Sequence, residues 1–421
     1  MLISVIGLGY IGLPTAALLA SLRHHVLGID VDPGIVSAIN QGHIHIQEPE
    51  LDMLVRAAVH AGYLRASTKY ELSDVFLIAV STPLTNEKEP DLSYVRNVAT
   101  ALAPVLSKGN LVILESTVPV GTTKRLSEFL AQARPDLSFP HQKGEDSDIR
   151  LAYCPERVLP GRIVHELIHN DRIIGGLTPK CSQSAATLYQ LFAQGQCIVT
   201  DAATAEMCKL AENTYRDVNI ALANELSMIC ADQGVDVWEL VALANRHPRV
   251  NILSPGCGVG GHCIAVDPWF LVHGAPDKTR LTQSARQVNY SKTSWVVDQV
   301  KAVIQNLEAQ RSPGSKVQVA CLGLTFKANV ADLRHSPALE IVHQLALSSG
   351  TSLAIVEPYV LELPPGLALL GVQHLDIAEA LDWAQVVVVL VGHKVFQHLR
   401  PRLKPEQKVI DLCGIWRKAY G

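Results

Sequence analysis

The chain has 421 residues, too many for one hydrophobic core, so two or three domains are expected. Its 36 basic and 40 acidic residues give a formal net charge of −4 without a basic tract, which argues against nucleic acid or an anionic membrane surface as the main partner. The chain opens on an apolar strand-like run without a charged leader, has no apolar run long enough to span a bilayer, and contains nine cysteines, so we expect a cytoplasmic protein with reduced thiols.

The N-terminal segment carries a dinucleotide-binding pattern. A short apolar run, Leu2 to Ile6, precedes Gly7-Leu8-Gly9-Tyr10-Ile11-Gly12, and a helix is predicted from Pro14 to Leu22. In this context the first glycine makes the turn, the second lets the backbone reach a pyrophosphate, and the third allows close helix packing. A second strand, His25 to Ile29, ends at Asp30, whose carboxylate suits a ribose 2′-hydroxyl and would repel a 2′-phosphate, so NAD is expected as the cofactor. The expected cofactor contacts here are Gly7, Gly9, Tyr10, Ile11, Gly12 and Asp30.

Further apolar runs predict a doubly wound parallel sheet. Residues 74–80 and 111–114 have the pattern of buried strands, and helical stretches alternate with them. Polar residues follow both strands, and they also follow a third predicted strand within residues 151–157. In sheets of this kind ligands bind at the carboxyl ends of the strands. Thr82, Thr117 and Glu156 are therefore candidate site residues, although hydroxyl groups at these positions also serve turns and caps.

Residues 202–233 predict one long helix that is mostly apolar. Lys209, Asn213, Arg216 and Asn224 recur on or near one face of it, which is either a solvated face or part of a site. A lysine one turn from an asparagine could orient a water and stabilise an oxyanion, so Lys209 and Asn213 are candidates for that role.

A glycine-rich stretch, Gly256 to His262, leads to Cys263. Glycines let the backbone turn sharply and approach a ligand closely, so this context predicts a presented nucleophile. One alternative is a buried core cysteine. Another is a metal site with Cys257, His262 and Cys263, which we disfavour because adjacent ligands fit one tetrahedral ion poorly and no fourth ligand or Cys-x-x-Cys pair is present. No metal is expected.

After a polar stretch at residues 310–315 a second alternating unit begins. It has predicted strands at 317–322, 353–356, 386–391 and 409–412 and a predicted helix at 337–347. Only Gly323 remains of a second glycine fingerprint, so another dinucleotide is not expected here. Lys327 and Arg334 form a basic pair suited to the phosphates of a nucleotide sugar.

Together these patterns predict an α/β protein with two Rossmann-like doubly wound domains, joined by a long central helix and a helical dimerisation domain. The predicted boundaries are residues 1–200 for the NAD-binding domain, 201–310 for the central helical domain with the cysteine loop, and 311–421 for the UDP-sugar-binding domain.

The motifs resemble those of the nucleotide-sugar 6-dehydrogenase family, which includes the UDP-glucose and GDP-mannose dehydrogenases, over nearly the whole chain. Within the family they are most similar to those of enzymes that oxidise UDP-N-acetyl-D-mannosamine. The stretches that carry the resemblance are Glu115-Ser116-Thr117 and residues 153–161, 205–210, 245–253 and 258–270.

The resemblance implies an NAD-dependent four-electron oxidation of carbon 6 of UDP-N-acetyl-D-mannosamine to the uronate, for surface polysaccharide biosynthesis. Cys263 would attack the first-formed aldehyde to give a thiohemiacetal, and oxidation of this adduct would leave a thioester that water cleaves. The covalent bond would keep the intermediate aligned for the second hydride transfer.

The same resemblance assigns roles to other residues. Lys209 and Asn213 would stabilise the negative oxygen of the tetrahedral states. Asp267 would help to place the hydrolytic water, Glu156 would be the general base, and Thr117 would orient water near carbon 6.

Binding roles also follow from the resemblance. Lys327 and Arg334 match basic positions of the family's nucleotide-sugar domain, and Arg249 would reach into a neighbouring subunit and so require a homodimer. Thr82, Thr117 and Arg334 complete the expected cofactor contacts. The expected substrate contacts are Arg157, Val158, Lys209, Asn213, Arg249, Gly260 and Lys327.

Two positions depart from the family pattern. Cys257 stands where relatives usually carry proline, which adds a second thiol near the nucleophile. Cys413 stands where relatives usually carry a basic residue, and the lost charge would weaken a contact to sugar or phosphate.

Other functions stay open at this point. The same chemistry could act on UDP-N-acetylglucosamine or UDP-glucose. A single-step β-hydroxyacid dehydrogenase would leave the glycine-flanked thiol and the last hundred residues unexplained, and a sensor of NAD or nucleotide sugar would bind without turnover.

Overall fold

The computed structural model describes residues 1–46, 48–310, 316–348 and 351–417. The chain divides into two compact units, Met1–Glu212 with Trp269–Pro276, and Asn213–Pro268 with Asp277–Gly421. Most of the predicted polar linker, residues 311–315, lies outside the described residues. The three predicted domain boundaries stay predictions.

The first unit is built on a mixed sheet with helices. Within the described residues, its strands have the order β3-β2-β1-β4-β5-β6-β7-β8. The strands are β1 (Leu2–Ile6), β2 (His25–Ile29), β3 (Leu64–Ser67), β4 (Val75–Ile78), β5 (Leu111–Leu114), β6 (Arg150–Tyr153), β7 (Arg172–Gly176) and β8 (Cys197–Asp201). The helices are α1 (Gly12–Ser21), α2 (Pro33–Asn40), α3 (Leu51–His60), α4 (Ser93–Leu102), α5 (Thr122–Ala133), α6 (Pro140–Lys143), α7 (Ile163–His169) and α8 (Pro179–Tyr189).

The doubly wound prediction holds for this sheet with one exception. Strands β1 to β6 pair in parallel, but β7 runs antiparallel to β6. The connection between β6 and β7 contains the seven-residue helix α7, and the chain re-enters the sheet at the end where β6 leaves it. The predicted parallel sheet therefore contains one antiparallel pair, β6 with β7.

The long helix α9 (Ala202–Gln233) has the bounds that its apolar pattern predicted, and its residues contribute to both units. Three helices follow it along the chain, α10 (Val237–Ala244), α11 (Asp267–Gly274) and α12 (Arg280–Glu308). No helix among the described residues is both long and apolar enough to cross a membrane.

The second unit contains a parallel sheet with the strand order β11-β10-β9-β12-β13 in the described residues. This is the order of the first five strands of the other sheet, so the predicted pair of Rossmann-like folds is confirmed. The strands are β9 (Val317–Leu322), β10 (Thr351–Val356), β11 (Gln373–His374), β12 (Val386–Val389) and β13 (Lys408–Asp411), and the helices between them are α13 (Pro337–Ala346), α14 (Pro365–Leu369) and α15 (Ile377–Trp383).

A buried ion pair joins α9 to α12 within the second unit. Arg286 Nη1 lies 2.7 Å from Asp217 Oδ1, and both side chains are almost fully buried. Asn289 Nδ2 donates to the same carboxylate oxygen at 2.8 Å. Burial raises the pKa of Asp217, and the Arg286 charge opposes this shift. The packing of the two long helices thus depends on this ion pair. Removing either side chain would leave the other charge buried without a partner and would lower the free energy of unfolding.

We expect Arg286→Met to lower the free energy of unfolding by roughly 3–5 kcal/mol, because it leaves the Asp217 carboxylate buried without its cation. Urea unfolding followed by circular dichroism measures this change. Arg280→Met is the control, because Arg280 is exposed on the same helix and should shift stability by no more than about 0.5 kcal/mol. Equal effects of the two variants would contradict the assigned role of the ion pair.

Candidate active site

The turn after β1 fits a dinucleotide pyrophosphate. Gly7 has φ of +89°, and its amide donates to the Ile29 carbonyl at 2.8 Å. A Cβ added at Gly12 would overlap the Gly7 carbonyl oxygen, whereas a Cβ added at Gly9 would meet no atom within 4 Å. The turn is therefore closely packed on one side and open on the other, at the helix end where the dipole favours phosphate. The predicted contacts Tyr10 and Ile11 are half-buried in the same turn.

Asp30 lies directly after β2, beside this turn. Its Oδ2 accepts the Leu8 amide at 2.9 Å, and its Oδ1 accepts the Asp32 amide at 3.0 Å. These bonds fix the carboxylate at the carboxyl end of the strand, where an acid that binds ribose is expected.

Thr82 and Thr117 follow β4 and β5, and a hydrogen bond links them. The Thr82 hydroxyl donates to the Thr117 carbonyl oxygen at 2.6 Å. The neighbouring Ser116 hydroxyl donates to the Val80 carbonyl at 2.7 Å. The hydroxyls of Thr82 and Ser116 thus hydrogen-bond to the backbone of the loops, which is the structural role considered for such groups. The cofactor contacts of Thr82 and Thr117 stay predictions.

Lys209 and Glu156 come together in the first unit. Lys209 is buried, and its Nζ donates to the Glu156 carbonyl oxygen at 2.6 Å. The Glu156 carboxylate is also largely buried, and its Oε1 accepts the Arg157 amide at 2.8 Å. The Arg157 guanidinium pairs with Glu212 at 2.7 Å. The alternative of a solvated face is therefore wrong for Lys209.

A residue that the sequence did not single out fixes α9 to the loop after β5. The Glu206 carboxylate is buried and accepts the amides of Gly121 and Thr123 at 2.5 and 2.7 Å, together with the Thr123 hydroxyl at 2.6 Å. It thereby binds the orphan donors at the N-terminus of α5. A charged residue inside an apolar helical run was the signal for this role.

Cys263 is exposed, whereas a core cysteine would be buried. Its carbonyl oxygen accepts the amides of Val266 and Asp267 at 3.1 and 2.8 Å, so the chain turns directly into α11. Asp267 is buried at the start of this helix, and its carboxylate accepts a hydrogen bond from the Asn213 side-chain amide. The second unit therefore holds the predicted nucleophile close in sequence to a hydrogen-bonded Asn213–Asp267 pair.

Both long helices anchor the loop before Cys263. Asn224 Oδ1 on α9 accepts the Gly256 amide at 2.9 Å, and the Thr293 hydroxyl on α12 donates to the Cys257 carbonyl at 3.1 Å. Further along, the Gly261 amide donates to the Arg334 carbonyl at 3.0 Å. The sequence had placed Asn224 near the Lys209 face, but it gave no signal for Thr293.

The glycines of this loop are required by close packing. A Cβ at Gly260 would overlap the His335 carbonyl, and a Cβ at Gly261 would lie 2.7 Å from the Phe326 ring. Gly261 also has φ of +82°, which disfavours other residues. The loop can therefore lie directly on the segment that carries Lys327 and Arg334.

The two departures from the family pattern meet in the second unit. The Cys257 and Cys413 thiols both donate to the Leu390 carbonyl, at 3.5 and 3.4 Å. Burial raises the pKa of Cys257 to about 12 and raises that of Cys413 well above its ordinary value. Both groups therefore stay as thiols near neutral pH, and neither competes with the predicted nucleophile Cys263.

The turn after β9 repeats the turn after β1 but closes it with a histidine. Gly323 has φ of +90°, and Glu357 accepts the Leu324 amide at 2.7 Å, as Asp30 accepts that of Leu8. The buried His393 lies 3.2 Å from Glu357 through Nε2, and its Nδ1 accepts the Asn329 amide at 2.9 Å. Burial alone would raise the pKa of Glu357, but hydrogen bonds from His393 and from backbone amides hold it below its ordinary value. This network fixes residues 324–329, which include Lys327.

Three predicted site residues remain to be placed: Arg334, Val158 and Arg249. Arg334 forms an ion pair with Asp332 at 2.6 Å and is about half exposed. Val158 is half-buried after β6, and Arg249 is exposed after α10. Among the described residues no group of three or more His, Cys, Asp and Glu side chains is arranged to hold a metal ion.

The domain models of one family match most of the chain. The family is described as the UDP-glucose/GDP-mannose dehydrogenase family, and its NAD-binding, central and UDP-binding domains match residues 1–193, 203–291 and 320–418.

Individual proteins are similar over nearly the full length. The chain is 58% identical over 414 residues to an NDP-N-acetyl-D-galactosaminuronic acid dehydrogenase of Ralstonia nicotianae, covering 98% of this chain and 96% of that protein. It is 56% identical over 417 residues to a UDP-N-acetyl-D-mannosamine dehydrogenase of Yersinia pestis, covering 99% of each. The solved structure of a UDP-D-ManNAc dehydrogenase of Pyrococcus horikoshii matches with a TM-score of 0.89 at 37% identity, over 100% of this chain and 97% of that chain. The chain therefore belongs to the UDP-glucose/GDP-mannose dehydrogenase family, as its motifs predicted, and is an NAD-binding oxidoreductase.

Proposed function

We propose that the chain oxidises carbon 6 of UDP-N-acetyl-D-mannosamine to the carboxylate, using two molecules of NAD and one of water. The observation that carries this proposal is the exposed Cys263 at the end of an anchored glycine loop, directly before α11. The relative from Yersinia pestis supports the choice of substrate. The uronate product would serve surface polysaccharide synthesis, and we propose that the reaction takes place in the cytoplasm.

NAD, when bound, supplies the hydride acceptor for both oxidations. The first oxidation turns the alcohol into an aldehyde with loss of a hydride and a proton. The Cys263 thiol then releases its proton and its sulfur bonds to the aldehyde carbon, while the carbonyl π bond breaks and its electron pair moves to oxygen, to give a thiohemiacetal oxyanion. Loss of a second hydride leaves a thioester, and water breaks the carbon–sulfur bond to give the carboxylate and the thiol.

The other residues act on the oxygen atoms of this sequence. Lys209 and Asn213 stabilise the tetrahedral oxyanions through their N–H groups. Glu156 takes the proton of the attacking water as general base, Asp267 places that water through its bond to Asn213, and Thr117 orients water near carbon 6.

Binding of cofactor and substrate is assigned to the same positions that the sequence indicated. NAD contacts the turn after β1 and Asp30, with further contacts from Thr82, Thr117 and Arg334. The UDP-sugar contacts are assigned to Arg157, Val158, Lys209, Asn213, Arg249, Gly260 and Lys327, and the match of residues 320–418 to a UDP-binding domain supports the nucleotide.

We also propose a homodimer through α9. Its exposed residues Tyr215, Leu222 and Ile229 recur every seven positions, so they lie on one face of the helix. An apolar stripe of this kind favours burial against a second helix, and a second copy of the chain supplies an identical face. In this dimer Arg249 would contact the site of the other subunit.

The first test concerns the nucleophile. We expect Cys263→Ser to lower the rate of complete oxidation on the order of 10³-fold or more, because a serine hydroxyl is a far weaker nucleophile towards the aldehyde. The measurement is NADH formed per UDP-sugar consumed. Cys197→Ser is the matched control and should keep two NADH per sugar, and a Cys263→Ser enzyme that also kept this ratio would contradict the covalent mechanism.

The second test concerns the sugar. We expect the highest kcat/KM with UDP-N-acetyl-D-mannosamine in a panel that includes UDP-N-acetylgalactosamine, UDP-N-acetylglucosamine and UDP-glucose. The N-acetylgalactosamine derivative is included because the Ralstonia relative is named for the corresponding acid. A higher kcat/KM with another sugar would overturn the substrate assignment alone, whereas a ratio of one NADH per sugar would overturn the four-electron chemistry.

The third test concerns assembly. We expect Leu222→Asp to shift the protein from dimer to monomer, because it places a charge in the proposed apolar contact. Light scattering coupled to size-exclusion chromatography measures the mass. Leu72→Asp, which changes a leucine that is exposed in the first unit, should leave the mass unchanged. A wild-type monomer, or a Leu222→Asp dimer, would contradict the proposed interface.

A further inference from the structure

A cluster of ionisable side chains lies in the core of the first unit, behind Glu156. Arg172, at the start of β7, is almost fully buried, and its Nη1 lies 3.3 Å from Glu156 Oε2. Its Nη2 donates to the Leu167 carbonyl at 3.1 Å, and its guanidinium lies 4.7 Å from the centre of the Tyr189 ring. Several contacts therefore hold this cation in one orientation.

A second buried carboxylate completes the cluster. Glu115, directly after β5, accepts a hydrogen bond from the Tyr189 hydroxyl at 2.6 Å through Oε1. Within the described residues its Oε2 has no hydrogen-bond partner. Burial, with the negative charge of Glu156 nearby, raises the pKa of Glu115 to about 7.

Charged groups at this depth need a reason, because removing them from water costs several kcal/mol per ion. The features that fit NAD lie elsewhere in the unit: they are the turn after β1, Asp30 and the N-terminus of α1. The roles described for them do not involve this cluster. In the described part of the chain, the ion pair that links it to a predicted catalytic residue is the contact between Arg172 and Glu156.

We propose that Arg172 is a positioning residue that holds the Glu156 carboxylate in its working orientation, and that Glu115 adjusts this hold through its own charge. The inference rests on the proposed role of Glu156 as general base. Glu156 is then fixed at three atoms, because Arg157 donates to Oε1, Arg172 contacts Oε2, and Lys209 donates to the backbone carbonyl.

The charge of Glu115 gives this arrangement a pH dependence. Below pH 7 Glu115 is protonated and neutral, so the Arg172 charge acts on Glu156 alone. Above pH 7 Glu115 is anionic, and its negative charge favours transfer of a proton from the attacking water into the cluster. The other titratable groups that face Glu115 are Tyr189 on α8, Arg172 on β7 and Cys154 after β6, and burial raises the pKa of the tyrosine and of the cysteine. Glu115 is therefore the member whose charge changes near neutrality.

The first experiment measures thioester hydrolysis in Arg172→Met, Arg172→Lys and Glu156→Gln, and in the double variant Arg172→Met/Glu156→Gln. We expect Arg172→Met to slow steady-state turnover about 10-fold or more, because general-base catalysis contributes about 10²–10⁴-fold. A fast burst of two NADH per active site should precede the slow phase, because only the hydrolytic step is impaired. Arg172→Lys keeps the charge and should recover part of the rate.

The double variant separates positioning from general structural damage. If Arg172 acts through Glu156, Arg172→Met should cause little further loss in the Glu156→Gln background. An equal loss in both backgrounds, or a loss without a burst, would overturn the proposal. The dissociation constant for NAD should stay unchanged in every variant, and Arg162→Met, which changes an exposed arginine of the same unit, should behave as wild type.

The second experiment uses Glu115→Gln, which keeps the acceptor for Tyr189 and imitates the protonated acid at every pH. The ratio of wild-type to variant kcat should rise about threefold to tenfold between pH 6 and pH 8.5, because Glu115 gains its negative charge over this range and glutamine does not. A ratio that stays constant with pH would overturn the role of Glu115. If Glu156→Gln alone kept full hydrolysis, the proposed base would be wrong, and a wild type that does not oxidise UDP-sugars would refute the proposed function itself.

Discussion

The position of the Cys263 loop depends on hydrogen bonds from outside it, because the loop has no helix or strand of its own from residue 251 to residue 266. Asn224 holds the amide of Gly256, Thr293 holds the carbonyl of Cys257, and the Gly261 amide is bound to the Arg334 carbonyl. A loop rich in glycine loses much conformational entropy when it is ordered, so these anchors must offset that cost. The exposed thiol is thereby held on a fixed backbone, as the proposed covalent catalysis requires.

Apolar patterns in the sequence were sufficient for most of the fold. Strands β1, β2, β5 and β9 and the 32-residue helix α9 have the predicted bounds, because a buried parallel strand is apolar on both faces and a long helix has no breaker. The reversal of β7 was not predicted, since strand direction depends on the connection rather than on the strand. Helix α1 begins at Gly12, two residues before the expected Pro14, because the glycine turn leads directly into it.

The candidate site was predicted less completely, for a physical reason. Motifs indicated Cys263, Asp267 and Lys209, which lie in local patterns of unusual composition. Arg172 and Glu206 act through contacts to residues 16 and 83 or more positions away. A charge inside an apolar helical run is the local signal at Glu206, but no local pattern shows which distant groups either residue contacts. The reason given for the glycines was also incomplete: Gly260 and Gly261 allow the loop to pack on Phe326 and His335, in addition to leaving space around the thiol.

The cysteines differ in burial, so a thiol reagent can label Cys263 selectively. All nine cysteines lie in the described residues, and Cys263 alone is exposed. An alkylating reagent at neutral pH meets this thiol first, while Cys257 and Cys413 are shielded and protonated. The mass increase of a single adduct therefore reports the fraction of chains that carry an accessible Cys263 thiol, independently of any assay with a sugar nucleotide.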